Sequence, residues 1–245
     1  MSTKYSKEFY NEMKDANLLS ARIIVPIVLY FAKIKSVVDV GSGTGIWIKA
    51  FNESGVKDVL AIDGQWVNEK DLVIEKNKFL QKDLSKEIDL KREFDLAVSL
   101  EVAEHIDKKY ADIFVKNLTN LAPLVLFSAA IPLQGGTHHV NEQWLEYWSE
   151  KFKRNGYIPV DCIRRKIWLN KRVSFFYSQN IIFFIKESKI LLFPKLQIEI
   201  ENGNGEALSF VHPKLHDYYS NRWNSIVPIL GRLPVWLLHF VKKII

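Results

Sequence analysis

Short apolar runs alternate with amphipathic stretches between residues 36 and 131, and this alternation sets the first expectation. Val37, Val38 and Val40 make a compact apolar run of the kind that suits a buried parallel strand. Four further strand-like runs follow at residues 59–63, 79–84, 94–100 and 124–130. Between them, residues 46–50 open a helix, and another helix is predicted near residues 107–122. Strand alternating with helix argues for an α/β fold, a parallel sheet with helices on both faces. Upstream, residues 4–35 predict two helices, with a break near residues 16–20 and Pro26 disturbing the second. Downstream, residues 141–155 predict a helix with Asn141 as its N-cap. Residues 157–163 and 180–186 are β-rich, and the stretch between them, 164–179, is longer than a hairpin turn needs. There is no internal repeat and no low-complexity linker.

The most informative stretch is Val-Val-Asp-Val-Gly-Ser-Gly-Thr-Gly at residues 37–45. Gly41, Gly43 and Gly45 allow a tight turn and a ligand against bare backbone. A dinucleotide fingerprint needs its third glycine one position later, where Ile46 stands. Asp39 sits two residues before the first glycine, where a carboxylate can meet an ammonium group. Both departures favour S-adenosylmethionine over NAD.

From these residues the chain resembles the class I S-adenosylmethionine-dependent methyltransferases, and the likeness continues in order downstream. Asp63 ends the second strand-like run, 24 residues after Asp39, close to the ~20-residue offset of a ribose-binding acid. Asp83 and Leu84 end the third, and the run from Phe94 to Ile106 resembles the family's fourth-strand signature. The resemblance implies a Rossmann-like, mostly parallel seven-stranded sheet with an antiparallel edge hairpin. It implies a domain over residues 36–186 with a substrate-side insertion at 164–179. Residues 1–35 would be a helical lid or cap, and 187–245 a C-terminal extension. It further implies that Asp39 faces the methionyl ammonium and that Gly41 and Gly43 let the cofactor lie on the loop. Asp63 would take the ribose hydroxyls and Asp83 the adenine amine, with Leu84 and Leu100 packing the ring. Each acid also has a plainer reading as a turn or helix cap.

Acceptor-side candidates follow the fifth strand, in Ile131 to Trp144. Loops at the carboxyl ends of parallel strands surround the ligand crevice. His138 and His139 are therefore the leading general-base candidates, with His105 behind them. The alternative for the pair is a turn cap and a packing residue. A divalent ion is a further alternative, but His138, His139 and Glu142 lack a recognised ligand spacing, so no metal is expected. Glu101, Glu104 and His105 also follow a strand into the crevice, with a structural role as the alternative.

The run Gly-Gly-x-His-His-x-Asn-Glu-Gln-Trp resembles small methyltransferases of bacterial surface-glycan biosynthesis. That likeness implies a sugar hydroxyl as acceptor, with Trp144, Trp148 and Trp168 as stacking candidates or, alternatively, packing residues. Other readings are a lipid, phenol or amine acceptor, or a non-catalytic cofactor-binding protein.

Composition narrows the partners. Residues 151–190 hold ten Lys or Arg against Asp161 and Glu187, yet no nucleic-acid module and no Asp/Asn-Pro-Pro-aromatic motif occurs, so nucleic acid is not the expected partner. The single cysteine, Cys162, allows no intrachain disulfide and suits a reducing cytoplasm. Residues 226–245 combine Trp236, Leu237, Leu238 and Phe240 with Lys242 and Lys243. That segment fits peripheral contact with an anionic membrane, or docking on the domain or on a second copy in a homo-oligomer.

Overall fold

The computed structural model describes residues 7–205 and 208–217, with side chains from residue 15 onward; the expected interfacial segment, 226–245, lies outside the described residues. The described residues up to Ser209 form one compact unit, which contains everything discussed below. In the second unit, Phe210–Ile245, residues 213–217 are helical.

Seven strands form one sheet: β1 (Ser36–Val40), β2 (Asp58–Asp63), β3 (Phe79–Gln81), β4 (Leu96–Leu100), β5 (Leu124–Ser128), β6 (Tyr157–Val160) and β7 (Ile182–Lys186), in spatial order β3-β2-β1-β4-β5-β7-β6. β1 pairs in parallel with both β2 and β4, and β4 with β5. β7 runs antiparallel to both β5 and β6. The expected mostly parallel sheet with its antiparallel edge pair is thus observed. Chain order reverses direction between β1 and β4, which opens a crevice at the carboxyl ends of those strands. Pro159 sits in β6, an edge strand, where its missing N–H costs no central ladder bond.

The helices are α1 (Lys7–Phe31), α2 (Ile46–Glu53), α3 (Ala111–Leu121), α4 (Leu145–Arg154), α5 (Arg164–Ile167), α6 (Phe175–Asn180) and α7 (Pro194–Glu201). Strand residues alternate between two apolar layers. Leu124 and Leu126 of β5 face the layer of α1 and α2, while Val125 and Phe127 face that of α3 and α4. On the second side Phe152 and Phe184 stack at 3.8 Å and 7°.

Three expectations change. The two N-terminal helices are one: Ser20 donates its hydroxyl to the Ala16 carbonyl at 2.8 Å, so its polar side chain does not break the helix. Pro26 lies inside α1 without ending it, because Ile24, Val25 and Val28 are fully buried and packing outweighs one lost backbone bond. The same burial makes α1 a wall of the core; of its described side chains only Asn17 reaches the crevice. The C-terminal extension does not start at 187. Phe193 and Leu196 are buried in the core shared with α1, so the segment through Ser209 belongs to the main unit. Finally, α4 begins at Leu145, with Trp144 at its N-cap position. Asn141 is buried upstream and accepts a bond from Gln143 instead of capping the helix.

Candidate active site

The loop at residues 41–45 leaves β1 and turns into α2. The N–H groups of Gly41 and Ser42 both donate to the Ile62 carbonyl of β2, at 2.8 and 3.1 Å, which fixes the loop across two strands. Gly41 has φ 87°, and a Cβ there would stand 2.4 Å from the Val102 side chain, so only glycine fits. Gly43 also has positive φ, 54°, but a Cβ there would meet nothing within 4 Å. Its open side belongs to a crevice of about 620 Å³ lined by the loop, by Trp47 and Leu100, and by Phe176 and Tyr177 of α6.

Two carboxylates stand behind the loop. Asp63 is buried, with Oδ2 accepting from Gly43 N–H and Oδ1 from Gly64 N–H, each at 2.6 Å. Burial raises its pKa, and those two amides work against the rise. Asp39 is 2% exposed, and its buried Oδ2 has no hydrogen-bond partner. Burial first, and the charge of Asp63 second, hold its carboxyl well above the usual range. A buried acid with an orphaned oxygen next to a glycine loop is the arrangement a ligand cation relieves.

The opposite part of the crevice is lined by Glu101, Glu104, His105, Gln134 and His139, with residues 135–137. Glu101 follows β4 in the left-handed region, φ 55°. Its carboxylate accepts from Gln134 Nε2 at 2.7 Å and from Asn180 Nδ2 at 3.1 Å. A strained residue held by two amides from distant segments marks a site that the surrounding structure over-determines. Glu104 is fully buried and neither carboxylate oxygen has a partner. Burial first, and the charge of Glu101 second, raise its pKa well above the usual range. His139 Nδ1 lies 2.8 Å from Glu142 Oε1, and His105 Nδ1 lies 3.2 Å from the His138 carbonyl. The two rings meet edge to face at 4.8 Å. Burial, then the charge of His139, lower the pKa of His105. Each Nδ1 faces an acceptor, and the tautomer that places hydrogen on Nδ1 leaves both Nε2 atoms as lone-pair sites.

The family model for a methyltransferase domain matches residues 13–166, more than half of the chain, from within α1 to within α5. The chain belongs to the methyltransferase domain family. The methyl donor of this methyltransferase is S-adenosylmethionine, which agrees with the glycine loop and the orphaned Asp39 oxygen. No curated protein sequence matches it. Among solved structures it is similar to the sugar N-methyltransferase KedS8 from a Streptoalloteichus species, at 14% identity and TM-score 0.55 over 76% of this chain and 97% of that one. The methyltransferase domain of a bacterial Hen1, CtHen1-C, aligns at 16% identity and TM-score 0.51, covering 69% of this chain and 98% of that one. LaPhzM aligns at 13% identity and TM-score 0.50 over 73% of this chain, which spans only 58% of LaPhzM. At such identities the likeness is one of fold.

The structure gathers some of the sequence-derived candidates in the methyltransferase crevice and separates others. Gly41, Gly43, Leu100, His105 and His139 line it, with Asp39 and Asp63 directly behind the loop. Asp83 does not line it. Its exposed carboxylate accepts from the N–H and hydroxyl of Ser85, at 3.0 and 2.6 Å, and pairs with Lys86, so it caps a turn. Leu84 lies in the α3/α4 apolar layer, away from the crevice lining. His138 is exposed in the left-handed region, φ 61°, and contributes its carbonyl to His105, while its side chain is outside the lining. Trp148 is fully buried against Phe127, a core residue with no face left for a sugar. In the basic stretch, Arg164 is internal, donating to Asp161 and to the carbonyls of Gln179 and Leu208. Among the described residues no helix is long and apolar enough to cross a membrane.

Sequence reading did not single out Trp47, and it met Gln134, Tyr177 and Asn180 only within longer runs without giving them a role. Trp47 Nε1 donates to the Tyr177 hydroxyl at 3.3 Å, which joins α2 to α6 over the crevice. The linear cue was the run Tyr177-Ser-Gln-Asn180, which belongs to the same glycan-methyltransferase likeness as the two histidines.

Proposed function

We propose that this methyltransferase methylates a hydroxyl oxygen of a sugar or glycan intermediate. The observation that supports the reading is the imidazole pair, His105 and His139, each with Nδ1 engaged and Nε2 available in the crevice that holds the glycine loop. A hydroxyl must shed its proton as the new bond forms, whereas a neutral amine already offers a lone pair. The His105–His139 cluster takes that proton, with Glu142 orienting His139 and stabilising the charge that develops on it. Glu101, Gln134 and Asn180 form a rigid polar wall that suits a polyhydroxylated acceptor. Sugars are also the substrate class named for KedS8, which shares the fold.

S-adenosylmethionine, when bound, supplies an electrophilic methyl carbon on a sulfonium. Asp39 would hold its ammonium group and Asp63 its ribose hydroxyls, while the loop glycines admit it against backbone. The protein's remaining work is alignment, for which Trp47 and Tyr177 fix one wall and the 134–139 segment the other.

The test is transfer of a carbon-13-labelled methyl to panels of nucleotide sugars, lipid-linked sugars, phenols and amines, with the labelled atom located by NMR. Label on a sugar oxygen supports the proposal. Label confined to nitrogen or to a phenol overturns the acceptor class, and cofactor binding without any transfer favours the non-catalytic reading.

A further inference from the structure

We propose that Glu104, His105 and His139 bind one divalent first-row transition-metal ion, placed where the acceptor hydroxyl meets the protein. The inference rests on the oxygen-acceptor reading above and deepens it. One ligand atom from each of the three residues lies within 4.8 Å of the others. Metal–ligand bonds of about 2.1 Å place ligand atoms roughly 3–4 Å apart, so the triad closes on an ion by side-chain shifts of about 1 Å.

Independent features of the site point to a cation. Glu104 is completely buried, and both its oxygens lack a hydrogen-bond donor. Leaving a carboxylate in that state is expensive unless something charged completes it. Glu101, in contrast, is satisfied by the Gln134 and Asn180 amides, so the unmet demand is local to Glu104. Both histidines also show the outer contacts of metal-ligating imidazoles: one Nδ1 faces a carboxylate and the other a backbone carbonyl. Such contacts fix the tautomer and present Nε2 to the ion. A Cβ on Gly136 would stand 2.2 Å from His139 Nε2, so a larger residue at this position would displace the imidazole.

Two imidazoles and one carboxylate are the donor set of Mn²⁺, Fe²⁺, Co²⁺ or Zn²⁺, whereas Mg²⁺ prefers oxygen ligands alone. Three protein ligands leave coordination positions free toward the crevice. With an ion bound, both Nε2 atoms are ligands and the acceptor oxygen becomes a further one. Its O–H proton then leaves to water in the open crevice, with the electron pair kept on oxygen. In the metal-loaded enzyme the two histidines thus promote proton loss as ligands of the ion instead of taking the proton on their ring nitrogens.

The experiment titrates Mn²⁺ into the full chain and follows loss of the free-ion EPR signal. Parallel transfer assays run with and without a chelator. Wild type should bind one ion per chain, Glu104→Gln should lose that binding, and Glu142→Gln should weaken it about 10–100-fold through its histidine. His138→Ala should match wild type. Absence of stoichiometric binding by wild type, or equal binding by Glu104→Gln, overturns the site. Undiminished sugar-oxygen transfer in chelator also overturns it while leaving the acceptor reading intact. Stoichiometric binding together with label only on nitrogen has the opposite meaning, a metal site in an enzyme of another acceptor class.

Discussion

The two halves of the crevice are built differently. The half that carries the glycine loop is contiguous: β1, the loop and α2 follow one another in 18 residues, from Ser36 to Glu53. Its special requirements are carried by backbone, a positive φ at Gly41 and an N–H from Gly43 to Asp63. The opposite half is assembled from residues 101–105 and 134–142 with Asn180, which meet only after β4, β5 and β7 have paired. Backbone-encoded sites leave a short, position-specific trace in sequence, and side-chain sites assembled from distant segments do not.

This contrast predicts distinct failures. The largest concerns His139→Asn, which should lower kcat by about 10²–10⁴-fold and leave cofactor affinity unchanged, as read by calorimetry. If affinity falls with turnover, the two halves are not separable. Next, Gly41→Ala should damage fold and cofactor binding together. A non-glycine residue in the left-handed region costs about 1–2 kcal/mol and the clash with Val102 about 1–3 kcal/mol more, measurable by denaturant unfolding.

Asp39→Asn sharpens the comparison because stability and binding should move in opposite directions. In the ligand-free protein the folded state retains a proton that the unfolded chain releases above about pH 4. Stability therefore falls as pH rises from that value toward the raised folded pKa. The variant should flatten that pH dependence and melt higher than wild type at neutral pH, yet bind S-adenosylmethionine at least about tenfold more weakly. A lower melting temperature at pH 7 would show that Asp39 is ionised and paired. The smallest effect is expected at His138→Ala, whose exposed ring should be removable with less than about a twofold change in turnover.

Legibility followed the same division. The alternation of strand and helix, the turn at the glycines and the position of Asp63 at the end of β2 were legible because period and spacing are local properties. Asp83 shared the strand-end pattern of Asp63 but bonds Ser85 two residues on, and a short-range cap leaves the same letters as a ligand acid. The joining of two expected helices into α1 was hidden because Pro26 is a breaker by propensity, and only tertiary burial of Val25 and Val28 overrides it. His138 and His139 were adjacent and equivalent in sequence; their separation rests on Glu142 and on the chain turning at φ 61°. Asn180 acts on Glu101 across 79 positions, a relation no local pattern records.

The most direct measurement is single-turnover methyl transfer to a sugar acceptor at saturating S-adenosylmethionine, comparing wild type with His139→Asn after calorimetry has shown equal cofactor binding. The account predicts full occupancy in both proteins and transfer slowed by about two orders of magnitude or more in the variant. Transfer at the wild-type rate by His139→Asn would contradict the assignment of proton removal to the His105–His139 cluster.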